Sequence, residues 1–575
     1  MKMRAFALAG WVTAQAAGLF LPAAFALEPG QQVGNFVLLD HRGAAHELRD
    51  HSDAEAIVVM VQGNGCPVVR QVLPRFAEIR DRYEKAGVVF WLLNSFPQDD
   101  RASVVAEAKE YGIDLPVLMD EAQLVGEALG VERTAEVFVI DPADRWKLKY
   151  RGPVDDRVDY GRQLPEARNH HLTDALDAVV AGKPVARPRV EAVGCLVELP
   201  KPARRISYVN EIAPLLIDNC VECHRPGGIG PWAMQNYQQV AGFAPMIREV
   251  LLTHRMPPWH ADPHIGEFSN DRSLSVEQKQ KLVHWIEAGT PRDAGPDPLE
   301  AAMKRQWPEW KLGKPDAIVE LPRIPIPATG LIPYLHPVVK NPVGKTVWLR
   351  AVDFLPEQRG ALHHIITAFA EPPRPPSRTP RGGLVGGYTP GGGATVYPPG
   401  VGLRVEPNAQ FLFQVHYTTI GRAVSDATRM GLYFHDQPPQ YEHQGVVLEN
   451  RKIRIPPRVK AHTDSARWTF DRDVIVHSLL PHAHYRGRST EFKAIYPDGR
   501  AEMLLSVPKY DFNWQHLYEL KTPKRLPKGT TVIHSTTYDN SAQNRANPDP
   551  DREVPWGLQS QDEMLFGVVN YRYAE

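Results

Sequence analysis

The stretch "SLLPHAHYRG", residues 478–487, places His482 and His484 directly after an apolar run that begins at Val474. The run is apolar enough to predict a buried strand. In a strand, residues i and i+2 point to the same face, so the two imidazoles are expected to converge on one point. Neutral imidazoles are good ligands for copper, zinc, iron and nickel. An isolated His-x-His pair is more often exposed or satisfied within a core, so its meaning depends on the rest of the chain.

Other metal-ligating residues surround this pair in the sequence. They occur in "ALHHIIT", "FQVHYTT" and "QDEMLFG" and are His363, His364, His416 and Met564. Adjacent histidines face opposite sides of a regular strand, so two of them can bind one ion only at a strand end or a bulge. The nitrogens of the first three residues would make one trigonal site. Met564 would complete a second site with His482 and His484, and its soft thioether favours Cu(I).

The order His-His, His, His-x-His, Met resembles that of the copper type II, ascorbate-dependent monooxygenases, which include the peptidylglycine α-hydroxylating and dopamine β-monooxygenases. "PPGVG" before the "QVHY" strand agrees with the same family. The resemblance implies two β-sandwich halves, 315–440 and 441–575, with one copper each. The first copper, held by His363, His364 and His416, would transfer electrons. The second would bind O₂ and hydroxylate a C–H bond, which makes its ligands His482, His484 and Met564 the catalytic residues.

Two departures from that family limit what the resemblance implies about substrate and stability. Leu480 stands two residues before the His-x-His pair, where the peptidylglycine enzymes carry an arginine that meets the substrate carboxylate. A peptide with a C-terminal glycine is therefore not the expected substrate. The animal enzymes also rely on disulfides in this region, whereas this chain has no cysteine after Cys223, so its sandwiches must rest on core packing.

The segment "CVECH", residues 220–224, has the Cys-x-x-Cys-His spacing of c-type haem attachment. In that motif two thiols bond the porphyrin vinyl groups and the histidine supplies an axial nitrogen; here these residues are Cys220, Cys223 and His224. "MPPWH" follows and offers Met256 as a thioether ligand, a choice that raises the potential, although His254 and His260 flank it. Residues 206–292 resemble a small α-helical cytochrome c domain with one covalently attached haem.

Residues 27–185 alternate apolar strands with helical segments, and Cys66 lies between a predicted strand and a predicted helix. This pattern, with "NGCPVV", resembles the thioredoxin-like redoxin and peroxiredoxin superfamily. Val69 occupies the position of the second cysteine of a Cys-x-x-Cys motif, and the peroxidatic motif is also missing. Two interpretations stay open: a degenerate structural domain, or a reactive thiol at Cys66. Cys195 is a candidate distant partner.

The ends and connections complete the predicted organisation. Residues 1–26 have a charged start, an apolar stretch and the small-x-small site Ala24-Phe-Ala26, which predicts a cleaved signal peptide and a periplasmic or secreted protein that does not span a membrane. A Pro-rich linker is expected at 186–205 and a connector at 293–314. The formal net charge of -1 gives no indication of nucleic-acid binding.

The leading hypothesis is an exported copper monooxygenase with two copper ions and one haem. It would hydroxylate a small organic substrate with O₂ and take electrons from an ascorbate-like reductant or a periplasmic redox protein. One alternative is a periplasmic haem/copper electron-transfer or redox-sensing protein without hydroxylase activity. Another is a disulfide or peroxide reductase, against which the missing second cysteine weighs.

Overall fold

The computed structural model describes residues 27–200, 204–370 and 384–575. The predicted signal peptide, residues 1–26, lies outside the described residues. Within them, no helix is both long and apolar enough to cross a membrane.

The N-terminal domain is a thioredoxin-like α/β domain built on a five-stranded sheet. The order of its strands is β5 (Val117–Met119), β4 (Val88–Asn94), β3 (Ala56–Gln62), β6 (Val137–Asp141) and β7 (Lys147–Gly152). Strands β3, β4 and β5 pair in parallel, and β6 and β7 join antiparallel. The strands of this domain are β1 (Val37–Leu39), β2 (Ala45–Glu47), β3 (Ala56–Gln62), β4 (Val88–Asn94), β5 (Val117–Met119), β6 (Val137–Asp141), β7 (Lys147–Gly152), β8 (Val158–Asp159) and β9 (Arg162–Gln163). Its helices are α1 (Pro67–Tyr83), α2 (Arg101–Glu110), α3 (Leu124–Leu129) and α4 (His171–Val180).

Strand β3 shows why this part of the sequence reads as an unbroken apolar run. Ile57, Val59 and Val61 enter one hydrophobic core, whereas Ala56, Val58 and Met60 enter another. Because alternate side chains point to opposite faces, a sheet covered on both sides needs apolar residues at every position. Cys66 follows β3 and forms the N-cap of α1, with Pro67 as the first helical residue.

The segment expected to be a linker packs along the N-terminal domain instead of spanning solvent. The backbone of Arg189 forms an isolated β-bridge with that of Arg151, and the backbone of Leu196 forms another with that of Arg133. The backbone N–H of Thr134 also donates to the carbonyl of Cys195 at 2.9 Å. The described part of this segment is therefore an ordered strap that brings Cys195 back to the sheet.

A small helical unit follows and shares its core with the N-terminal domain. A π-helical turn, Tyr208–Ile212, leads into the first of its helices, which are α5 (Ala213–Asn219), α6 (Tyr237–Gly242), α7 (Ala244–Leu252), α8 (Val276–Glu287) and α9 (Pro298–Met303). Helix α8 begins with a capping box, in which the side chains of Ser275 and Gln278 each bond to the backbone of the other residue. Helix α9 lies inside the segment expected to be a connector.

The remainder is β-rich and consists of two halves, each a pair of sheets stacked on an apolar core. The first half contains β10 (Ala317–Glu320), β11 (Ile324–Ile326), β12 (Val338–Lys340), β13 (Val347–Leu355), β14 (Leu362–Phe369), β15 (Leu384–Tyr388), β16 (Thr395–Val396), β17 (Val401–Val405), β18 (Gln410–Tyr417), β19 (Val424–Asp426), β20 (Arg429–Phe434) and β21 (Tyr441–Glu442). Its main sheets have the orders β10-β20-β13-β17-β21 and β12-β18-β14-β15. Strand β21 pairs with β17, so the first half extends to Glu442.

The second half repeats this plan with sheets of order β22-β31-β25-β28 and β24-β29-β26-β27. Its strands are β22 (Gln444–Glu449), β23 (Arg454–Ile455), β24 (His462–Thr469), β25 (Val474–His482), β26 (Gly487–Ile495), β27 (Ala501–Val507), β28 (Tyr518–Leu526), β29 (Thr531–Tyr538), β30 (Val554–Pro555) and β31 (Phe566–Tyr573). Trp259 and Phe268 of the helical unit join the core of this half. The helical unit therefore packs against both of its neighbours.

Candidate metal centre

Three histidines of the first β-rich half form a buried cluster that could hold a metal ion. His363 and His364 lie on β14, and His416 lies opposite His364 on β18. The register shifts between Leu362 and His364, and this irregularity lets adjacent histidines turn toward one point. One nitrogen from each imidazole lies within 4.8 Å of the other two. The expected grouping of these three residues is confirmed.

The electrostatic setting of this triad favours neutral imidazoles. Burial lowers the pKa of His363 to about 4 and that of His416 to about 3, and it holds the pKa of His364 well below its ordinary value. In the described part of the chain, Nε2 of His363, Nε2 of His364 and Nδ1 of His416 have no hydrogen-bond partner. Buried polar atoms are rarely left without one, so these nitrogens are arranged for a group outside the protein chain.

His482 and His484 lie at the end of β25 and immediately beyond it, and both are buried. Nδ1 of His482 bonds to Oε1 of Gln515 at 2.7 Å, and Nδ1 of His484 bonds to the carbonyl of Asp562 at 3.1 Å. Nε2 of each ring is without a partner among the described residues. A histidine held through one nitrogen presents the other in a fixed direction, as metal-binding histidines do.

The two histidine sets meet where the β-rich halves join. The ring centroids of His482 and His484 are 5.2 Å apart, and those of His364 and His482 are 5.9 Å apart. The five rings therefore form one continuous cluster. Each set comes from a different half of the fold, so the cluster depends on how the halves dock.

Met564 is buried and follows Asp562, whose carbonyl orients His484, by two residues. It belongs to a small apolar cluster with Leu384 and Phe566. The preceding residue, Glu563, accepts a hydrogen bond from the backbone N–H of His484 at 2.8 Å. This bond brings the Met564 backbone to the His484 side of the cluster.

Two aromatic residues that the sequence did not single out enclose the cluster. The ring of Tyr334 lies 4.4 Å from that of His416 and 6.1 Å from that of His484. Phe512 stacks on His363 with centroids 4.8 Å apart. Neither residue carries a local motif, and both reach the site only through tertiary packing. Their rings cover the histidines and limit the access of water.

A cavity of about 540 Å³ opens beside His364. Ile366, Leu384 and Leu480 provide apolar walls, and Gln515 also lines it. The same cavity is lined by four further buried residues that have unpartnered polar atoms among the described residues and that the sequence analysis also missed: His443, His477, His516 and Asn570. The space can accept a small molecule that is mostly apolar and carries a hydrogen-bonding group.

The Cys-x-x-Cys-His segment forms a turn directly after α5. Burial raises the pKa of Cys220 to about 12 and also raises that of Cys223, so both remain thiols. Nδ1 of His224 bonds to the carbonyl of Trp232 at 3.0 Å, which orients the ring. These raised pKa values do not favour a reactive dithiol, whose thiolates need a lowered pKa.

The candidate axial ligand Met256 follows α7. It lines a cavity of about 350 Å³ together with His254 and His260. Cys220, Cys223 and His224 are not among the residues that line that cavity. The structure therefore groups Met256 with the two histidines that flank it in sequence.

Cys66 is buried at the N-terminus of α1, and its sulfur lies 3.2 Å from that of Cys195. The sequence offered Cys195 as a distant partner, and the strap described above brings it there. Both residues are free cysteines in this structure.

Comparison with known proteins identifies the N-terminal domain. Residues 29–148 match the AhpC/TSA family. Among similar proteins is the thiol-disulfide oxidoreductase ResA of Geobacillus thermodenitrificans, 26% identical over 129 residues, which cover 22% of this chain and 72% of the relative. The ResA of Geobacillus kaustophilus is 27% identical over 20% of this chain, and the match spans 65% of its length. Residues 29–148 thus form a thioredoxin-like redoxin domain of the AhpC/TSA type.

Two solved structures are similar to this chain over somewhat less than a third of its length. A hypothetical protein from Sinorhizobium meliloti is 29% identical, with a TM-score of 0.28, over 31% of this chain and 98% of its own. An uncharacterized conserved protein from Geobacillus kaustophilus has the same identity of 29% and TM-score of 0.28, over 31% of this chain and 95% of its own.

Proposed function

We propose that the protein is an exported, copper-dependent monooxygenase that hydroxylates a C–H bond of a small organic substrate with O₂, using electrons relayed through a c-type haem. The observation that carries this proposal is the clustering of five buried histidines where the β-rich halves join, each with a ring nitrogen that has no partner among the described residues. Export to the periplasm or beyond follows from the predicted signal sequence and is part of the proposal.

The histidine sets divide the proposed copper ions between the halves. His363, His364 and His416 would hold the first, and His482, His484 and Met564 the second. Bound copper supplies one-electron redox chemistry and O₂ activation. The protein's own contribution is to fix the ligands, since Gln515 orients His482 and the carbonyl of Asp562 orients His484. Tyr334 and Phe512 keep water away from the rings.

The cavity beside His364 supports a small organic substrate. Leu480 lines it and stands where the peptidylglycine enzymes carry a substrate-binding arginine, so a peptide with a C-terminal glycine is not the expected substrate. Arg272 and Lys521 also line the cavity. Among the described residues, His443, His477, His516 and Asn570 have unpartnered polar atoms there, so a substrate with an apolar body and hydrogen-bonding groups would suit the space.

The position of the Cys-x-x-Cys-His turn supports electron entry from a haem. A Cβ atom added at Gly391 would lie 3.7 Å from Sγ of Cys223. Lys311 pairs with Glu222 of the same turn at 2.7 Å and donates to the carbonyl of Gly392 at 3.2 Å. Gly392 lines the substrate cavity. A haem bonded to Cys220 and Cys223 would therefore attach at the surface that docks against the copper-binding region.

The test is incorporation of labelled oxygen. Reduced holoprotein is incubated with ¹⁸O₂ and a panel of small compounds with activated C–H bonds, and products are analysed by mass spectrometry. The proposal expects one ¹⁸O atom per product molecule, lost in His482→Ala and retained in the control His462→Ala, whose histidine lies on β24 outside the cluster. Product formation that is equal in both variants would contradict the proposal.

A second candidate is haem/copper electron transfer or redox sensing without hydroxylation. The ring centroids of His364 and His482 are 5.9 Å apart, and this short distance favours the electron-transfer function. A continuous cluster of histidines also suits the passage of electrons between two ions. This function predicts reversible oxidation of haem and copper without any labelled product from the compounds in the panel.

A further inference from the structure

Cys66 and Cys195 are separated by most of the N-terminal domain in sequence, yet their sulfurs are 3.2 Å apart. Cys66 is buried, whereas Cys195 is exposed. We propose that the two form a reversible disulfide in which Cys195 is the sulfur attacked by a partner dithiol. This activity is independent of the proposed copper chemistry, and it gives Cys66 a partner cysteine in place of the missing second cysteine of a Cys-x-x-Cys motif.

The backbone around Cys195 is built to hold it against Cys66. Thr134 N–H donates to the Cys195 carbonyl at 2.9 Å, and Cys195 N–H donates to Oγ1 of Thr134 at 2.8 Å. A Cβ atom at Gly194 would lie only 1.9 Å from the Thr134 carbonyl oxygen. Because any side chain would clash there, glycine is needed for the strap to approach Thr134 this closely.

The surroundings of the two sulfurs differ in a way that sets the direction of exchange. Burial raises the pKa of Cys66, but hydrogen bonds from Thr134 and from the backbone of Val69 outweigh it and hold that pKa below its ordinary value. Oγ1 of Thr134 accepts from Cys195 N–H, so its own proton is free to donate to the Cys66 sulfur 3.0 Å away. Burial raises the pKa of Cys195. Cys66 is therefore the better leaving group, and Cys195 is the accessible sulfur.

The exchange balances with a dithiol as the only co-reactant. A thiolate of the dithiol attacks Sγ of Cys195, the Cys66–Cys195 bond breaks, and Cys66 leaves as a thiolate. The second thiolate of the dithiol then attacks its own partner sulfur in the mixed disulfide and releases Cys195. Two electrons pass to the protein, which takes up two protons, and the dithiol becomes a disulfide. The reverse reaction oxidises the protein.

The first test is disulfide mapping on the full chain. The protein is treated with the thiol oxidant diamide, alkylated under denaturing conditions and digested. The proposal expects a linked peptide pair containing Cys66 and Cys195, which disappears after reduction. Gly194→Ala should lose most of this product, whereas Gly242→Ala, where an added Cβ meets no atom within 4 Å, should retain it. Alkylation of both cysteines in the oxidised wild-type protein would overturn the proposal.

The second test determines which of the two sulfurs an incoming thiol attacks. Oxidised protein is mixed with reduced glutathione and quenched in acid, and the mixed disulfide is located by mass spectrometry. We expect glutathione on Cys195 with Cys66 free; glutathione on Cys66 instead would overturn the assignment. Thr134→Val keeps the side-chain shape but removes the hydroxyl, so in a Cys195→Ser background it should shift the pH midpoint of Cys66 alkylation upward, by about one unit. An unchanged midpoint would contradict the role given to Thr134.

Discussion

At the scale of single residues, the same hydrogen-bonding arrangement occurs at three histidines. His482, His484 and His224 each engage Nδ1 with an amide or carbonyl oxygen, which leaves Nε2 directed elsewhere. The partners lie 33, 78 and 8 residues away in sequence, respectively. The sequence predicts the histidines because their spacing is local, but it gives no signal for the oxygens that orient them.

Removing one of these oxygens should weaken metal binding without unfolding the protein. Gln515→Leu abolishes the acceptor for Nδ1 of His482 and should lower copper affinity by roughly 10–100-fold. Gln515→Glu keeps an oxygen at that position and serves as the matched control. Competition with a Cu(I) chelator measures the effect, and equal affinity in the Leu and Glu variants would show that the bond does not matter.

Met564 offers a test that separates a ligand from a core residue. Met564→Leu keeps an apolar side chain of similar volume, so the thermal unfolding temperature should change little. Met564→Ala should cost about 2–5 kcal/mol as a buried truncation. Both variants should lose one copper ion and all product while the His363, His364 and His416 site stays loaded. Wild-type turnover in the Leu variant would make Met564 only a packing residue.

At the scale of elements, much of the architecture could be predicted. The unbroken apolar runs predict the doubly covered sheet, and the capping box predicts the start of α8 at Val276. Adjacent His363 and His364 predict an irregular strand, and the register shift in β14 supplies it. The path of 186–200 could not be predicted, because its contacts with Arg133 and Thr134 are non-local and its prolines suggest a free linker.

Burial of uncharged histidines in the β-rich strands makes stability depend on pH. Burial lowers the pKa of His477 and of His534 to about 4, whereas the unfolded value is about 6.5. Between these values the unfolded state binds more protons than the folded state, so stability falls as pH drops from about 6.5 to about 4. Each imidazole should contribute on the order of 1–3 kcal/mol. Urea unfolding of copper-free protein at pH 7.5 and pH 5 measures this. Equal stability at both values would contradict it.

At the scale of the whole molecule, the domains are packed on one another rather than joined only by linkers. The side chain of His284 in the helical unit is hydrogen-bonded to that of Glu127 in the redoxin domain at 2.8 Å. The backbone of Phe268 forms an isolated β-bridge with that of Leu520 in the second β-rich half. The helical unit thus sits between a thiol centre and a histidine cluster. The sequence predicts the three kinds of domain, but their docking depends on surface contacts that no local pattern encodes.

In the proposed function, this docking would make electron transfer from haem to copper intramolecular. When fully reduced protein is mixed with O₂ and a substrate identified by the labelling experiment, the haem should reoxidise quickly in the wild type. It should reoxidise much more slowly in His363→Ala, because the proposed acceptor is lost. Stopped-flow absorbance of the haem measures the rate, with His462→Ala as the control. Equal rates of haem reoxidation in copper-free and copper-loaded protein would exclude electron transfer from the haem to this copper.

Metal content tests the central claim most directly. Protein produced with cytochrome maturation and loaded with copper is analysed for metals, and the haem is checked for retention after denaturation. The account predicts two copper ions and one covalently held haem per chain, with one copper in His363→Ala and one in His482→Ala. A wild-type content of one copper or fewer, or haem released on denaturation, would contradict it.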